Sequence, residues 1–244
     1  DGLRRAAAAP AAEKAVVPPR KKTLSAADHL RARQLHERWF TLDTHLDTPT
    51  ARLMRPGWDF GARHAFGDDG SQCDLPRMVD GGLAGAVFAV YVGQAARTPE
   101  GLATAHARAV ACLERTHEVL RLNAAQAGLA LTADDGPALQ RAGRRAIYLS
   151  LENAYSLGRD PANVAKFHAL GVRMIGLTHM LNNDVADSST DPRGAEWGGL
   201  SPLGREVVAE CNRLGITLDA SHASDHALAR SEEHTSELQS PAMI

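Results

Sequence analysis

Five residues with metal-binding side chains lie at or just after the ends of short apolar runs. His45 and Asp47 end the first of these runs, Glu152 ends a second, and His179 and His222 follow two more. Imidazole nitrogen and carboxylate oxygen are the ligands that zinc prefers at catalytic sites. The pattern therefore predicts a metal site and, with it, a metal-dependent hydrolase.

The spacing within these runs supports this interpretation. In a strand, residues i and i+2 point to the same side, so the side chains of His45 and Asp47 can reach one ion. Glu152 ends a buried run in which an unpaired carboxylate would be costly, so we expect it to bridge two cations. A salt bridge to an arginine is the alternative for Glu152, and an ordinary core histidine is the alternative for His179 and for His222.

These residues can meet only if the runs that carry them are neighbouring strands of one sheet. Two stretches repeat the same pattern, in which a helix begins at Asp160-Pro161 or Ser201-Pro202 and ends at Gly171 or Gly215. An apolar β run and then a histidine follow each helix. Such helix-then-strand units predict parallel strands joined by right-handed crossovers.

The whole sequence predicts an α/β fold of the (β/α)8, or TIM-barrel, type. In such a barrel the ends of all strands face one rim, where ligands can converge. We count about five of the eight strands, so the barrel is incomplete here and its sheet edges are open. The expected strands lie near Phe40, Val87, Ile147, Ile175 and Ile216.

Other elements follow from caps and loop residues. We expect a helix capped by Ser25, with Leu30, Leu35 and Trp39 available for packing. The Gly- and Asp-rich segment 57–71 is expected to be a pocket-shaping loop, and a long helix is predicted from Thr98-Pro99 to Ala127. Seven further histidines are expected to have surface or packing roles: His29, His36, His64, His106, His117, His168 and His226. Of these, His64 lies in the expected pocket loop.

Composition excludes several classes of protein. The chain has 244 residues with a net charge of -2, so it lacks the basic excess of a nucleic-acid-binding protein. Its three cysteines are far apart, which argues against a disulfide framework or a zinc knuckle. It also has no run of about 18 apolar residues that would span a membrane. Exported, periplasmic and cytoplasmic locations all stay open, because the chain begins at Asp1.

We expect three segments along the chain. Residues 1–24 combine Ala, Pro and a basic cluster and are predicted to be a flexible leader. Residues 25–229 are predicted to form the partial barrel. Residues 230–244 resemble the in-frame translation of a sequencing-library adapter, so we expect a non-native tail there and a C-terminally truncated copy of the parent protein.

In combination, the motifs of residues 38–229 resemble those of the membrane (renal-type) dipeptidases, which are binuclear zinc peptidases with an α/β barrel fold. The first group of motifs is Leu42-Asp43-Thr44-His45-Leu46-Asp47, Asp74-Leu75-Pro76 with Gly81-Gly82, and Leu151-Glu152-Asn153. The second group is Leu177-Thr178-His179 with Asn182-Asn183 and Ala186-Asp187-Ser188, and Gly199-Leu200-Ser201-Pro202-Leu203-Gly204 with Asp219-Ala220-Ser221-His222.

The resemblance implies a role for each candidate residue. His45 and Asp47 would bind the first zinc ion, Glu152 would bridge two zinc ions, and His222 would bind the second. His179 would contact the substrate carbonyl and act as the catalytic residue that stabilises the oxyanion. Family members carry a further zinc-binding His, then an Arg and an Asp, which cannot be placed in this sequence, so the second zinc site is expected to be incomplete.

The implied activity is hydrolysis of dipeptides by a hydroxide held between two zinc ions. The expected partners are a small peptide substrate and, as one candidate assembly, a second copy in a homodimer. Two alternatives stay open: another barrel amidohydrolase acting on lactones or cyclic amides, and a non-catalytic truncated fragment. The amidohydrolases usually begin with His-x-His, whereas position 47 is Asp.

Overall fold

The computed structural model describes residues 23–235, and its centre is one parallel β-sheet. Five strands form a continuous path in the order β1-β2-β4-β5-β6, and β3 pairs with β4 beside that path. The strands are β1 (Leu42–Leu46), β2 (Gly85–Tyr91), β3 (Ala127–Leu129), β4 (Arg145–Glu152), β5 (Val172–Gly176) and β6 (Thr217–Asp219). The predicted incomplete barrel with five strands is confirmed.

Strand β4 lies at the middle of this sheet. It pairs with β2 over its whole length, from Ala146 to Glu152. Its other side is shared, because β3 pairs with residues 145–147 and β5 pairs with residues 149–151. Within the described residues, β1 pairs only with β2 and β6 pairs only with β5, so these two strands form the sheet edges.

Helices join the strands and cover the sheet. The α-helices are α1 (Ala26–Arg38), α2 (Phe66–Asp69), α3 (Leu75–Gly81), α4 (Pro99–Leu122), α5 (Asp135–Arg141), α6 (Asn163–Ala169), α7 (Pro202–Leu214) and α8 (Asp225–Thr235). A π-helical turn spans Pro49–Leu53, and a 3-10 turn spans Ala154–Leu157. The side chains of Thr98 and Ser201 cap α4 and α7, each with Pro at the first helical position, as predicted.

Strand β3 differs from the sequence prediction, which continued the preceding helix to Ala127. The helix ends at Leu122, because Asn123 stops it and donates its side-chain amide to the Val119 carbonyl at 3.0 Å. Residues 123–126 then turn the chain into β3. A strand of three residues has too few side chains to show a period of two, so it could not be recognised from sequence.

Helix α1 has the predicted cap and lacks the predicted packing. Ser25 accepts a hydrogen bond from the Asp28 amide, and the Asp28 carboxylate accepts one from the Ser25 amide, which completes a capping box. All of α1 lies within the described range, and none of its residues is buried. Leu30, Leu35 and Trp39 are 59%, 44% and 61% exposed, so the prediction that these side chains pack is wrong.

The core lies on both faces of the sheet. Residues of β2 and β4 are almost all buried, as the continuous apolar runs predicted. Phe88 contacts Phe60 edge to face at 5.3 Å, and Phe167 of α6 is fully buried. Each fully buried side chain of this size contributes roughly 1.5–3 kcal/mol, so the central strands form a rigid base for residues at their ends.

The two terminal segments lie mostly beyond the described residues. The predicted leader, residues 1–24, falls outside them except for Thr23 and Leu24, and residues 236–244 fall outside them as well. Helix α8 continues to Thr235 and so includes the first residues of the predicted tail. The leader and the non-native tail stay predictions. Among the described helices, none is both long and apolar enough to cross a membrane.

Candidate metal centre

All five residues predicted from sequence lie at one end of the sheet. His45 is the fourth residue of β1, Asp47 follows that strand directly, and Glu152 is the last residue of β4. His179 lies three residues after β5, and His222 lies three residues after β6. Because the strands are parallel, their carboxyl ends meet at one rim, which brings together residues 177 positions apart in sequence.

The two carboxylate oxygens of Glu152 face two different sets of side chains. Oε2 lies 3.5 Å from Nε2 of His45, which in turn lies 3.5 Å from Oδ1 of Asp47. Oε1 lies 3.7 Å from Nε2 of His179 and 3.6 Å from Nε2 of His222. Glu152 therefore belongs to both sets and is the only residue they share.

The chemistry of each set suits a divalent cation. One set offers an imidazole nitrogen and two carboxylate oxygens, and the other offers two imidazole nitrogens and one carboxylate oxygen. Within each set the donor atoms lie within 4.8 Å of one another. Two ligands of one tetrahedral zinc ion, each at about 2.0–2.1 Å from it, are separated by roughly 3.4 Å. The separations of 3.5–3.7 Å are close to that value and too long for good hydrogen bonds, so the donor atoms of each set fit a divalent cation.

Burial and neighbouring charges control the protonation of Glu152. The residue is 8% exposed, and this burial raises its pKa. The imidazoles of His45 and His222 lower the pKa, whereas the carboxylates of Asp47 and Asp219 raise it. The Glu152 carboxylate thus lies in a setting that needs nearby positive charge to keep it ionised.

His179 lies at the cavity among other ring side chains. Its side chain is 24% exposed, and its ring lies 4.4 Å from that of His222 and 4.7 Å from that of Tyr91. Burial lowers the pKa of His179, and the rings of His222 and His45 add to this effect. This shift favours the uncharged imidazole, which carries one N–H that can donate.

Tyr91 is a site residue that the sequence interpretation missed. It is the last residue of β2 and the direct pairing partner of Glu152, and it lines the same cavity. Burial raises the pKa of Tyr91, and Glu152 and Asp47 contribute to this shift. The apolar run 83–92 concealed this residue, although its position at a strand end was the available signal.

The cavity is open to solvent and has a volume of about 580 Å³. Its lining consists of the five predicted residues together with three others: Thr50, Ala51 and Tyr91. Thr50 and Ala51 belong to the π-helical turn after β1. Among the described residues, the expected pocket loop 57–71 contributes none of the lining, so this part of the prediction is wrong.

Within that loop, His64 has a structural role. Its Nδ1 lies 3.1 Å from the Asp69 carboxylate, its Nε2 lies 2.7 Å from the Asp59 carbonyl, and its ring stacks on Trp58 at 4.5 Å. These contacts within the loop stabilise its conformation, and they do not involve the cavity. Its packing role agrees with the role assigned from sequence.

The loops that carry the rim residues adopt unusual backbone conformations. His222 has φ = 65° and Asn153, directly after Glu152, has φ = 72°; these are the two non-glycine residues with positive φ among those described. Such conformations cost free energy and persist where surrounding contacts fix them. The Ser189 amide donates to the His222 carbonyl at 2.8 Å and supplies one such contact.

Comparisons with known proteins give the family of this chain. A sequence model of the membrane dipeptidase family, Peptidase family M19, matches residues 29–237. Dipeptidase tcpJ of Claviceps purpurea is 34% identical over 188 residues, which are 72% of this chain and 43% of the fungal protein. The chain therefore spans less than half the length of that relative.

Solved structures give the same result. The probable dipeptidase PvdM of Pseudomonas aeruginosa has a TM-score of 0.75 and 30% identity, over 84% of this chain and 52% of its own. A metallo peptidase of Rhodobacter sphaeroides, liganded with a phosphinate mimic of the dipeptide L-Ala-D-Ala, has a TM-score of 0.67 and 25% identity, over 79% of this chain and 61% of its own. The chain belongs to the membrane dipeptidase family, Peptidase family M19.

Proposed function

We propose that the protein of which this chain is part hydrolyses dipeptides with the help of two zinc ions. The observation that carries this proposal is the arrangement of Glu152, whose two oxygens face two separate ligand sets. His45 and Asp47 would hold one ion with Glu152, and His222 would hold the other. A pair of divalent cations supplies Lewis-acid activation of water and of a carbonyl group.

The residues of the chain would bind and orient the substrate. His179 would donate its N–H to the substrate carbonyl oxygen, where negative charge grows as the peptide bond is attacked. The low pKa of this imidazole favours the neutral form, which keeps His179 from adding to the positive charge already at the site. The open cavity of about 580 Å³ has room for a dipeptide.

A dipeptide is the favoured substrate class because of the family and of its relatives. The Rhodobacter sphaeroides metallo peptidase binds a mimic of a dipeptide, and its chain shares this fold. A barrel amidohydrolase acting on lactones or cyclic amides is not favoured, because the chain belongs to the dipeptidase family. A non-catalytic fragment would be distinguished from a metal-dependent enzyme by the absence of bound metal.

Two measurements on the full-length protein of which this chain is part test the proposal. Elemental mass spectrometry after zinc loading and desalting should find close to two zinc ions per chain. A panel of dipeptides, lactones and cyclic amides should then show hydrolysis of the dipeptides alone. A chain that retains no zinc would support the fragment alternative, and hydrolysis confined to lactones would support the amidohydrolase. The predicted homodimer is tested by sedimentation of the same sample.

A further inference from the structure

We infer that Asn183 is a positioning residue that fixes the separation between Glu152 and His179. The inference rests on the proposed function, since it concerns the geometry of the same metal centre. Asn183 lies in the loop after β5, is fully buried, and is not among the residues that line the cavity. Its effect on the site would therefore pass through other groups.

The side-chain amide of Asn183 makes four hydrogen bonds. Nδ2 donates to Oδ1 of Asn153 at 2.9 Å and to the Leu177 carbonyl at 2.8 Å. Oδ1 accepts from the amides of Val185 at 2.8 Å and Ala186 at 3.0 Å. Both donors and both acceptor sites of the side-chain amide are thus used. This allows only one rotamer and one orientation of the amide group. A flipped amide would place Nδ2 against two N–H donors and Oδ1 against two acceptors.

The two groups that accept from Nδ2 belong to the ends of neighbouring strands. Asn153 directly follows Glu152 at the end of β4, and Leu177 lies two residues before His179 at the end of β5. One planar amide therefore connects the side chain of the residue that follows Glu152 with the backbone carbonyl two residues before His179. Nε2 of His179 lies 3.7 Å from Oε1 of Glu152, and a small shift of either strand end would change this distance.

A second amide extends the connection to β2. Asn153 donates through Nδ2 to Oε1 of Gln94 at 3.3 Å, and Gln94 donates through Nε2 to the Asn182 carbonyl at 2.7 Å. Asn153 also caps the 3-10 turn after Glu152 by accepting from the Tyr155 amide at 3.2 Å. These bonds hold Asn153 in its positive-φ conformation, so that it presents Oδ1 to Asn183.

Replacement of Asn183 by Asp separates positioning from general packing. The change keeps the shape of the side chain and both acceptor contacts, and it removes both donors to the strand ends. The neighbouring Asn182→Asp variant is a matched control, because Asn182 is equally buried and also bonds through Nδ2 and Oδ1. Its partners, the Gly194 carbonyl and the Ser188 amide, lie within the loop and not on β4 or the end of β5.

The experiment is a titration of the metal-free 244-residue chain with Co²⁺, followed by visible absorption. Loss of a group that orients metal ligands weakens metal affinity by about 10- to 100-fold. We expect a weakening of that size, and a changed absorption band, for Asn183→Asp, and less than about a threefold change for Asn182→Asp by the same reasoning. Equal affinities for the two variants would overturn the inference.

A second variant covers the case in which Asn183→Asp does not fold. Asn153→Gly removes the partner of Asn183 from the other side, and glycine tolerates φ = 72°. It should weaken Co²⁺ binding to a similar degree. The loss of affinity in the double variant should be smaller than the product of the two single losses, because both changes remove the bond between Asn153 and Asn183. A Co²⁺ affinity like that of the unchanged chain would contradict the inference.

Hydrogen exchange keeps this inference separate from the proposed function. In the metal-free chain, amides of residues 153–157 and 177–179 should exchange faster in Asn183→Asp and Asn153→Gly than in Asn182→Asp. If the unchanged chain binds no Co²⁺, the ligands present in this chain do not suffice to hold the ion, and the exchange rates alone decide the positioning role. If it binds Co²⁺ and neither variant changes affinity or exchange, the positioning role fails and the proposed function stands.

Discussion

The strands β4 and β1 both end in proposed metal ligands, yet they differ in how firmly they hold them. Strand β4 is paired along both sides and is buried over most of its length, and Glu152 at its end is 8% exposed. Strand β1 is an edge strand with an irregular register near its end, and none of its five residues is buried. The side chains of His45 and Asp47 are 42% and 64% exposed.

The site therefore has two unlike sides. We call β4 with Glu152 the firm wall, because this strand is buried and paired on both sides, and β1 with His45 and Asp47 the soft wall, because this strand is exposed and lies at the sheet edge. The carboxylate that belongs to both ligand sets lies on the firm wall, where surrounding contacts fix its position. Ligands that belong to one set only lie on the exposed strand ends, where side chains lose more conformational freedom when they bind an ion. Disturbing the two walls separately should therefore give unequal results.

The largest effect is expected from Glu152→Gln. The amide keeps the shape of the side chain but removes its charge and replaces one of its two oxygens by NH2. One set then loses its oxygen ligand and the other keeps only a neutral oxygen, so both ions should be lost, with affinity lower by at least about 100-fold. Elemental mass spectrometry measures the zinc content of the Glu152→Gln variant, and Glu37→Gln in the exposed helix α1 is the control. Full zinc content in the Glu152 variant would show that the carboxylate does not bridge two ions.

The packing of the two walls can be compared with one substitution on each. Leu151 is fully buried on β4, so Leu151→Ala should lower the free energy of unfolding by about 2–5 kcal/mol. Leu42 is 41% exposed on β1, so Leu42→Ala should cost less than about 1 kcal/mol. Urea unfolding followed by circular dichroism gives both values, and similar costs would remove the distinction between the walls.

A smaller loss of metal is expected from Asp47→Asn, because Asp47 belongs to one ligand set only. One ion should bind about tenfold or more weakly, and the other, next to His179 and His222, should be retained. His222→Asn should give the opposite loss, which makes the two variants controls for each other. Zinc titration with a competing chelator separates the two sites. Loss of both ions in either variant would mean that the sites form only together.

The smallest effect concerns acid stability in the loop between β5 and α7. The Arg193 side chain and the amides of Arg193 and Asn182 hold the pKa of Asp191 well below its usual range. A lowered pKa stabilises the folded chain above the unfolded pKa of about 3.9, and this stabilisation is lost as the pH falls. The difference in unfolding free energy between the unchanged chain and Asp191→Asn should therefore be larger at pH 7 than at pH 3. A difference independent of pH would contradict this assignment.

Much of this architecture could be predicted from sequence, because local signals coincide with the tertiary structure. The strands β2 and β4 are continuous apolar runs, and α4 and α7 begin at a capping residue followed by Pro. The five rim residues could be located because parallel strands end at one rim, whatever loops join them. Their grouping into two sets around Glu152 depends on distances that a sequence does not contain.

The errors share a physical cause, since each depends on contacts between distant residues. Strand β3 is set by its pairing with β4, and the exposure of Leu35 on α1 depends on what lies beneath that helix. Tyr91 was hidden because a buried aromatic residue looks the same at a strand end as in a core. The contact between Asn153 and Asn183 joins residues 30 positions apart and depends on how the loop after β5 closes.

Helix α1 has a consequence for handling the protein. Its capping box is local, its side chains are not buried, and a helix of 13 residues is marginally stable without tertiary packing. Its arginines, Arg31, Arg33 and Arg38, are substrates for trypsin that transient fraying would present. Brief digestion should thus cut within this helix well before it cuts the sheet, and the cleaved product would offer crystallographers a trimmed amino terminus with the rim undisturbed.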